Sequence, residues 1–261
     1  MRFADCGGFT THYALEGREG APVILFANSV GTDFRIWDDV AAVLREDYRL
    51  LRYDMRGHGL TDVVDGPYSM AQLAEDCVQL LDALNIEQVH VCGLSIGGMV
   101  AQQLAAVHPQ RIRSAIFCDT AMRIGTVDMW NERARAVRQD GMASIADGVL
   151  QRWFTDAFLA RGVAGYHNMF CRIPAEGYAG CCEAIRDADL TAQASTIRVP
   201  SLAIVGEADV ATPPDAVAAL AAAVADCRFK SLASAGHIPC IEQPRALAAT
   251  LQAFLHEVEH G

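Results

Sequence analysis

The sequence predicts an α/β fold in which helices flank a mostly parallel sheet of eight strands and a helical cap is inserted between two strands. Three observations lead to this prediction. Short apolar runs typical of strands alternate with longer, helix-like runs of apolar residues at intervals of three and four. The alternation stops at Asp119 and resumes after Pro200. One segment also has the order strand, sharp turn at a serine, helix. The alternation of strand-like and helix-like runs favours parallel strands joined by right-handed crossovers.

The part of the chain before Asp119 supplies six predicted strands and three predicted helices. Its strands are rich in Val, Ile, Leu, Phe, Tyr and Cys, and its helices present one apolar face. In chain order, the predictions are two short strands within residues 3–15, a strand at 23–27, a helix at 37–44, a strand at 48–53, a helix at 71–84, a strand at 88–92, a helix at 99–107 and a strand at 112–118.

The segment of about 80 residues after Asp119 is too long for a single crossover helix and contains no strand pattern. Helical patterns lie around residues 127–138, 145–155 and 181–187. We therefore predict a core formed by residues 1–121 and 191–261 and a cap formed by residues 122–190. The core resumes with a strand at 201–205, an alanine-rich helix at 214–224, a strand at 229–232 and a closing helix at 244–258.

The serine turn has the sequence Gly93–Gly98 and contains the pattern G-x-S-x-G between a predicted strand and a predicted helix. Such a turn strains the serine backbone and exposes the hydroxyl above the edge of the sheet, and glycines relieve the crowding around it. The alternative is a chance match in a chain rich in alanine and glycine. The flanking strand and helix favour Ser95 as a nucleophile.

A serine hydroxyl needs a base that accepts its proton and an acid that orients the base. Asp209 lies in the loop after the strand at 201–205, and His237 lies in the loop after the last strand, which gives the order Ser, Asp, His. Alone, Asp209 could be a turn or helix-capping residue and His237 a surface histidine. Their order and loops favour a triad, with Glu207 as an alternative acid.

An oxyanion that forms during acyl transfer needs backbone N–H donors. The amide of Ile96, directly after the predicted nucleophile, supplies one donor. The second is expected in the loop after the third strand, Asn28–Gly31, where we choose the Val30 amide. An ordinary strand-to-helix turn remains the alternative for this loop.

The composition excludes several classes of protein. The formal net charge of −11 argues against nucleic-acid and anionic-membrane binding. No apolar run reaches the roughly 18 residues of a membrane span, and the first residues lack a signal-peptide core. The nine cysteines are scattered, which favours a reducing compartment, and we expect a cytoplasmic protein. No dinucleotide or phosphate-loop motif occurs, so no cofactor is expected.

Two further motifs are interpreted as structural. His256 and His260 complete an H-E-x-x-H pattern, which is typical of zinc proteases. The pattern lies at the C-terminal end of the last predicted helix, where a buried cleft is not expected, so we predict no metal site. Arg56 and His58 lie in a glycine-rich turn, and we expect them to hold the geometry of that loop.

Across its whole length the chain resembles the α/β-hydrolase superfamily, and more specifically bacterial 3-oxoadipate enol-lactonases. The superfamily resemblance rests on four segments, residues 26–32, 53–60, 92–99 and 235–244. The loop Asn28–Gly31 and a fifth segment, residues 129–133, favour the enol-lactonases. The resemblance implies a hydrolase of the β-ketoadipate pathway of aromatic catabolism, which acts on a small anionic lactone.

Such a substrate requires a local cation in an acidic protein. Arg133 lies three residues after Trp130, so both share one helical face. We predict that Arg133 binds the substrate carboxylate and that Trp130 forms a wall of the pocket. The alternative is that Arg133 belongs to a solvated face with Arg135 and Arg138, and Trp130 to the cap core. A general carboxylesterase, a cofactor-free haloperoxidase-like hydrolase and a ligand receptor on the same fold are the alternative functions.

Overall fold

A sheet of eight strands forms the centre of the structure, a computed structural model that describes residues 1–261. The strands are β1 (Arg2–Asp5), β2 (Thr10–Gly17), β3 (Val23–Ala27), β4 (Arg49–Tyr53), β5 (Val89–Leu94), β6 (Ile112–Cys118), β7 (Ser201–Gly206) and β8 (Arg228–Leu232). Their spatial order is β1-β2-β4-β3-β5-β6-β7-β8. Only the pairs of β2 with β1 and β4 are antiparallel. The prediction of a mostly parallel eight-stranded sheet is confirmed.

The register of the central strands brings their carboxyl ends to one edge of the sheet. Ala27 pairs with Gly93, Leu94 pairs with Cys118, and Cys118 pairs with Ile204. All residues of β5 and β7 are buried, as expected for strands that helices cover on both faces. The loops that follow β3, β5, β6 and β7 therefore meet at one place, where open α/β sheets gather their binding sites.

Twelve α-helices cover the sheet or form the segment between β6 and β7. They are α1 (Asp38–Leu44), α2 (Met70–Ala83), α3 (Ile96–Val107), α4 (Val127–Asp140), α5 (Ala146–Trp153), α6 (Asp156–Leu159), α7 (Ala164–Cys171), α8 (Ala175–Asp187), α9 (Thr191–Ala194), α10 (Pro214–Ala223), α11 (Pro239–Glu242) and α12 (Pro244–His260). None of them has both the length and the apolar character of a membrane span.

The helices between β6 and β7 differ from the sequence prediction in three respects. The short helices α6 and α9, of four residues each, were not predicted. Helix α7 was not predicted, because its sequence mixes glycine, aromatic and polar residues with low helix propensity. Helix α8 begins at Ala175, before the predicted start at residue 181. Its first turns contain Gly177 and Gly180, which weaken the helical pattern.

These two glycines have a packing role that explains their place in a helix. A Cβ atom at Gly177 would lie 2.1 Å from the carbonyl oxygen of Gly57, and one at Gly57 would lie 2.4 Å from the Cα atom of Gly177. A Cβ atom at Gly180 would lie 2.7 Å from the ring of Tyr68. The backbone of helix α8 therefore packs directly against the backbone of the core loop after β4.

Replacement of Gly177 by alanine should destabilise the protein by about 1–3 kcal/mol, because the methyl group forces α8 away from Gly57. The matched control is Gly148→Ala in α5, where an added Cβ atom meets nothing within 4 Å. This control should leave stability unchanged or raise it by up to about 1 kcal/mol. Urea unfolding of both variants measures the difference, and equal stability of the two would contradict the backbone contact.

Candidate active site

The predicted nucleophile lies at the turn between β5 and α3. Ser95 has φ of 59° and ψ of −118°, a conformation that a residue with a side chain rarely adopts. Its N–H group donates to the Cys118 carbonyl at 2.9 Å, and its own carbonyl accepts a hydrogen bond from the Thr120 hydroxyl at 2.7 Å. These contacts hold the strained backbone in place.

The glycines of the G-x-S-x-G pattern are required by close contacts at this turn. A Cβ atom at Gly93 would lie 2.0 Å from the Gly97 carbonyl oxygen, and one at Gly97 would lie 2.2 Å from the Ala27 carbonyl oxygen. Helix α3 therefore begins almost against the backbone of β3 and β5. This geometry agrees with the crowding that the sequence pattern predicts.

The predicted acid and base are joined by a hydrogen bond. His237 donates from Nδ1 to Asp209 Oδ2 at 2.9 Å, and both residues are buried. Asp209 also accepts hydrogen bonds from the Thr212 hydroxyl at 2.6 Å and from the N–H groups of Ala211 and Thr212 at 2.7 and 3.1 Å. Glu207, the alternative acid, is exposed and accepts a hydrogen bond from Ser231 instead.

These donors determine the charge of Asp209. Burial raises the pKa of its carboxyl group, but the charge of His237 and the hydrogen bonds from His237 and Thr212 outweigh burial and hold the pKa below its usual value. Asp209 is therefore a carboxylate, which can fix the tautomer of His237 with the proton on Nδ1.

Ser95 and His237 line one small cavity between the core and the cap. Its volume is about 30 Å³. The imidazole ring of His237 uses only Nδ1 in hydrogen bonds, and no hydrogen bond joins Ser95 Oγ to His237 Nε2. Hydrogen bonds of this kind often tighten only when substrate is bound. The other residues of the lining are Ser29, Val30, Ile124, Met129, Trp130, Arg133, Val149, Arg152, Trp153 and Ala211.

Two backbone amides beside the cavity are free to bind an oxyanion. The Val30 N–H group donates to no acceptor in the protein, whereas the neighbouring Gly31 N–H group donates to His58 Nε2 at 3.0 Å. Ile96 is the first residue of α3, so its N–H group has no acceptor within the helix. These are the two amides chosen from the sequence.

His58 holds the loop that contains Val30. Burial lowers the pKa of His58 to about 4, so the ring is neutral and Nε2 can accept the Gly31 N–H group. The nearby Arg56 makes a buried salt bridge to Asp76 at 2.5 Å. Both residues therefore have the structural roles that the sequence analysis gave them.

Two arginines bring positive charge to the cavity. Arg133 and Arg152 are half-buried, and neither forms a salt bridge. The Arg133 guanidinium lies 5.1 Å from the centre of the Trp130 ring, and Trp130 itself donates to the Ile124 carbonyl at 2.6 Å. Arg138 on the same helix differs, because it pairs with two glutamates on α8. Arg133 is thus separate from the solvated face that was its alternative assignment.

Two polar residues of this lining were not predicted as site residues from the sequence. Ser29 has a buried hydroxyl group without a hydrogen-bond partner. Arg152 lies on α5, one residue before Trp153. A polar residue in the loop after β3 is a weak signal for Ser29. For Arg152 the sequence contains no signal, because many cap arginines are exposed.

Glu242 connects the loop of His237 to the cap. Its carboxylate accepts hydrogen bonds from the Gly236 N–H group and from both the N–H and hydroxyl groups of Thr155, at 2.9 and 2.8 Å. The His237 N–H group also donates to the Trp153 carbonyl at 2.9 Å. A displacement of the cap at Trp153 and Thr155 would therefore be transmitted to the imidazole.

A larger groove of about 670 Å³ lies between the N-terminal strands and α7. Its lining includes a hydrogen bond of 2.7 Å between His12 Nδ1 and Asp54 Oδ2 but none of the predicted catalytic residues. At the C-terminus, the rings of His256 and His260 lie 4.6 Å apart, and both residues are exposed. No group of three or more His, Cys, Asp and Glu side chains has the arrangement of a metal site.

Comparisons with known proteins agree with this architecture. The family model for the alpha/beta hydrolase fold matches residues 22–244. The chain is 37% identical over 251 residues to 3-oxoadipate enol-lactonase 2 of Acinetobacter baylyi, which covers 95% of this chain and 91% of the relative. It superimposes on the enol-lactonase of Burkholderia xenovorans with a TM-score of 0.96 at 41% identity, over 98% of this chain and 100% of the other.

A second solved structure is similar to a lesser degree. It is a thermophilic esterase from Thermogutta terrifontis with malate bound, which is 25% identical with a TM-score of 0.91 and 98% coverage of both chains. The strand order, the strained serine turn and the full-length matches lead to the same conclusion. The chain belongs to the α/β-hydrolase family, and it is similar to the enol-lactonases within that family.

Proposed function

We propose that the protein is an enol-lactonase that opens 3-oxoadipate enol-lactone to 3-oxoadipate in the cytoplasmic β-ketoadipate pathway. The observation that carries this proposal is the pair of unpaired arginines, Arg133 and Arg152, in the same cavity as Ser95 and His237. Both arginines are half-buried, and a partly desolvated cation without a carboxylate partner favours an anionic substrate. The similarity to two enol-lactonases supports the choice of lactone.

The first half of the reaction forms an acyl-enzyme. Ser95 Oγ attacks the lactone carbonyl while His237 Nε2 accepts the hydroxyl proton. The amides of Ile96 and Val30 hold the oxyanion, a contribution of about 3 kcal/mol for each donor. Collapse of the intermediate breaks the ring C–O bond and expels an enolate, which is a better leaving group than an alkoxide. The enolate takes up the proton that His237 accepted from Ser95 and becomes the ketone, which leaves His237 neutral for the second half.

The second half releases the product. His237 accepts a proton from water, and the resulting hydroxide attacks the acyl carbon of the ester with Ser95. The carboxylic acid leaves, and His237 returns the proton to Ser95 Oγ. Asp209 stabilises the charged imidazole in both halves through its hydrogen bond to Nδ1. Water is the only co-substrate, so the reaction needs neither a cofactor nor a metal.

The substrate carboxylate is assigned to Arg133 and Arg152, with Trp130 as an apolar wall of the pocket. The cavity of about 30 Å³ is far smaller than the roughly 300 Å³ or more of an occupied ligand pocket. Entry of the lactone therefore requires the lining residues of the cap and the core to move apart. The Glu242 contacts couple that movement to the loop of His237.

A general carboxylesterase is the second candidate, since the Thermogutta esterase has a similar fold. Both candidates are tested by kcat/KM for 3-oxoadipate enol-lactone beside p-nitrophenyl acetate. We expect a strong preference for the lactone. A preference for the neutral ester would move the protein to the esterases. Turnover far below about 1 s⁻¹ on both substrates, with tight lactone binding, would instead favour a receptor.

A further inference from the structure

A second buried carboxyl group lies beside Asp209. Asp119 follows β6 directly, with φ of 44°, and it is fully buried. Its Oδ1 atom accepts the Gly206 N–H group at 2.8 Å, and the Gly206 carbonyl accepts the Asp209 N–H group at 3.0 Å. Gly206 therefore bonds to both aspartates and brings these two buried residues to the same end of β7.

The two carboxyl groups differ in the number of donors that they receive. Asp209 accepts four hydrogen bonds, from the Ala211 N–H group, the Thr212 N–H and hydroxyl groups and His237. Asp119 accepts one, and its buried Oδ2 atom has no partner. Donors stabilise the charged form of a carboxyl group, so a single proton shared by the two residues belongs on Asp119.

We propose that Asp119 is a positioning residue whose neutral carboxyl group faces the Asp209 carboxylate, so that the pair has one negative charge and one proton. Two buried carboxylates in contact would repel each other, whereas a carboxyl–carboxylate pair is bound by a hydrogen bond. The proton on Asp119 Oδ2 gives that orphaned atom a partner. This arrangement supports Asp209 and limits the negative charge that acts on the imidazole.

The surroundings of Asp119 favour its neutral form. Burial and the charge of Asp209 raise the pKa of Asp119 well above its usual value, and the Cys118 thiol acts in the same direction. The Gly206 N–H group is the one contact that lowers it. The further titratable neighbours are Cys240 on α11, whose thiol interacts with Asp119, and His237 beyond Asp209.

Infrared difference spectroscopy of the intact enzyme tests the protonation directly. At neutral pH, the wild type minus Asp119→Asn spectrum should contain the carbonyl band of a neutral carboxylic acid, and D2O should shift that band. The control Asp65→Asn, at an exposed position, should remove only a carboxylate band. Loss of a carboxylate band in Asp119→Asn would overturn the proposal, and this readout does not depend on any substrate.

Stability as a function of pH gives a second test. A neutral Asp119 in the folded state ionises on unfolding, so the wild type loses stability as pH rises above about 4, the ordinary pKa of aspartate. Asp119→Asn lacks this loss, and its melting temperature relative to wild type should rise between pH 4 and 7. An Asp119 that is ionised in the folded state would leave the difference in melting temperature constant between pH 4 and 7, and this would contradict the proposal.

The positioning role rests on the proposed triad but not on the lactone, so kinetics are measured with p-nitrophenyl acetate. Asn retains a neutral donor, and kcat of Asp119→Asn should stay within about threefold of wild type. Asp119→Ala leaves the Gly206 N–H group without its acceptor and should lower kcat about tenfold or more at unchanged KM. Equal kcat for wild type and Asp119→Ala would refute the positioning role.

Discussion

Ser95→Ala should lower kcat/KM by about 10⁴-fold or more on both the enol-lactone and p-nitrophenyl acetate. The variant retains the oxyanion donors and His237 but cannot form the acyl-enzyme. Because alanine at a φ of 59° is no more strained than serine, the fold and the turn between β5 and α3 should persist. Steady-state kinetics measure the loss, and a thermal melt at the wild-type temperature separates it from unfolding.

The matched control is Ser144→Ala in the cap, where the hydroxyl group is exposed and bonds only to the Gly141 carbonyl. This variant should keep wild-type kinetics. Near-normal turnover by Ser95→Ala would show that covalent catalysis is wrong. His237 would then act as a general base on water that attacks the lactone directly, and the burst of product expected of an acyl-enzyme would also be absent from the wild type.

The double variant Arg133→Ala/Arg152→Ala should lose its preference for an anionic substrate. A hydrogen bond to a charged group is worth about 1.5–3 kcal/mol, so each single replacement should lower kcat/KM for the enol-lactone about 10- to 100-fold, mostly through KM. The neutral p-nitrophenyl acetate needs no cation and should be affected little. The ratio of the two kcat/KM values, measured for each variant, isolates the contribution of the carboxylate contact.

Arg135→Ala is the control for the change of net charge, because Arg135 is exposed on the same helix α4 and outside the cavity lining. This variant should leave the ratio of kcat/KM for the lactone to kcat/KM for p-nitrophenyl acetate unchanged. If Arg133→Ala and Arg152→Ala lowered kcat/KM equally for both substrates, the arginines would be structural parts of the cap. The proposal of an anionic lactone as substrate would then lose its main observation. If only one of the two replacements lowered kcat/KM for the lactone, that arginine would be the residue that binds the substrate carboxylate.

The core strands were predicted within a few residues because each is a short apolar run bounded by polar turns, as in β3 and β6. Local patterns worked less well in the cap. Helix α8 contains Gly177 where helix propensity disfavours it, because Gly57 of the core needs the space. The signal for that helix is therefore in a residue more than a hundred positions away, and no local window contains it.

The sequence by itself determined the eight-stranded sheet, the strained turn at Ser95 and the order of Ser95, Asp209 and His237. Each strand and each of these three residues is predicted by a local pattern, and their order along the chain supplies the rest. Only the tertiary structure decided that Asp119 and Asp209 both bond to Gly206, that Glu242 connects the loop of His237 to the cap, and which cap arginines line the cavity. The reason is that these contacts join residues that are far apart in the sequence. The bonds from Gly206 to Asp119 and from Thr155 to Glu242 each join residues 87 positions apart.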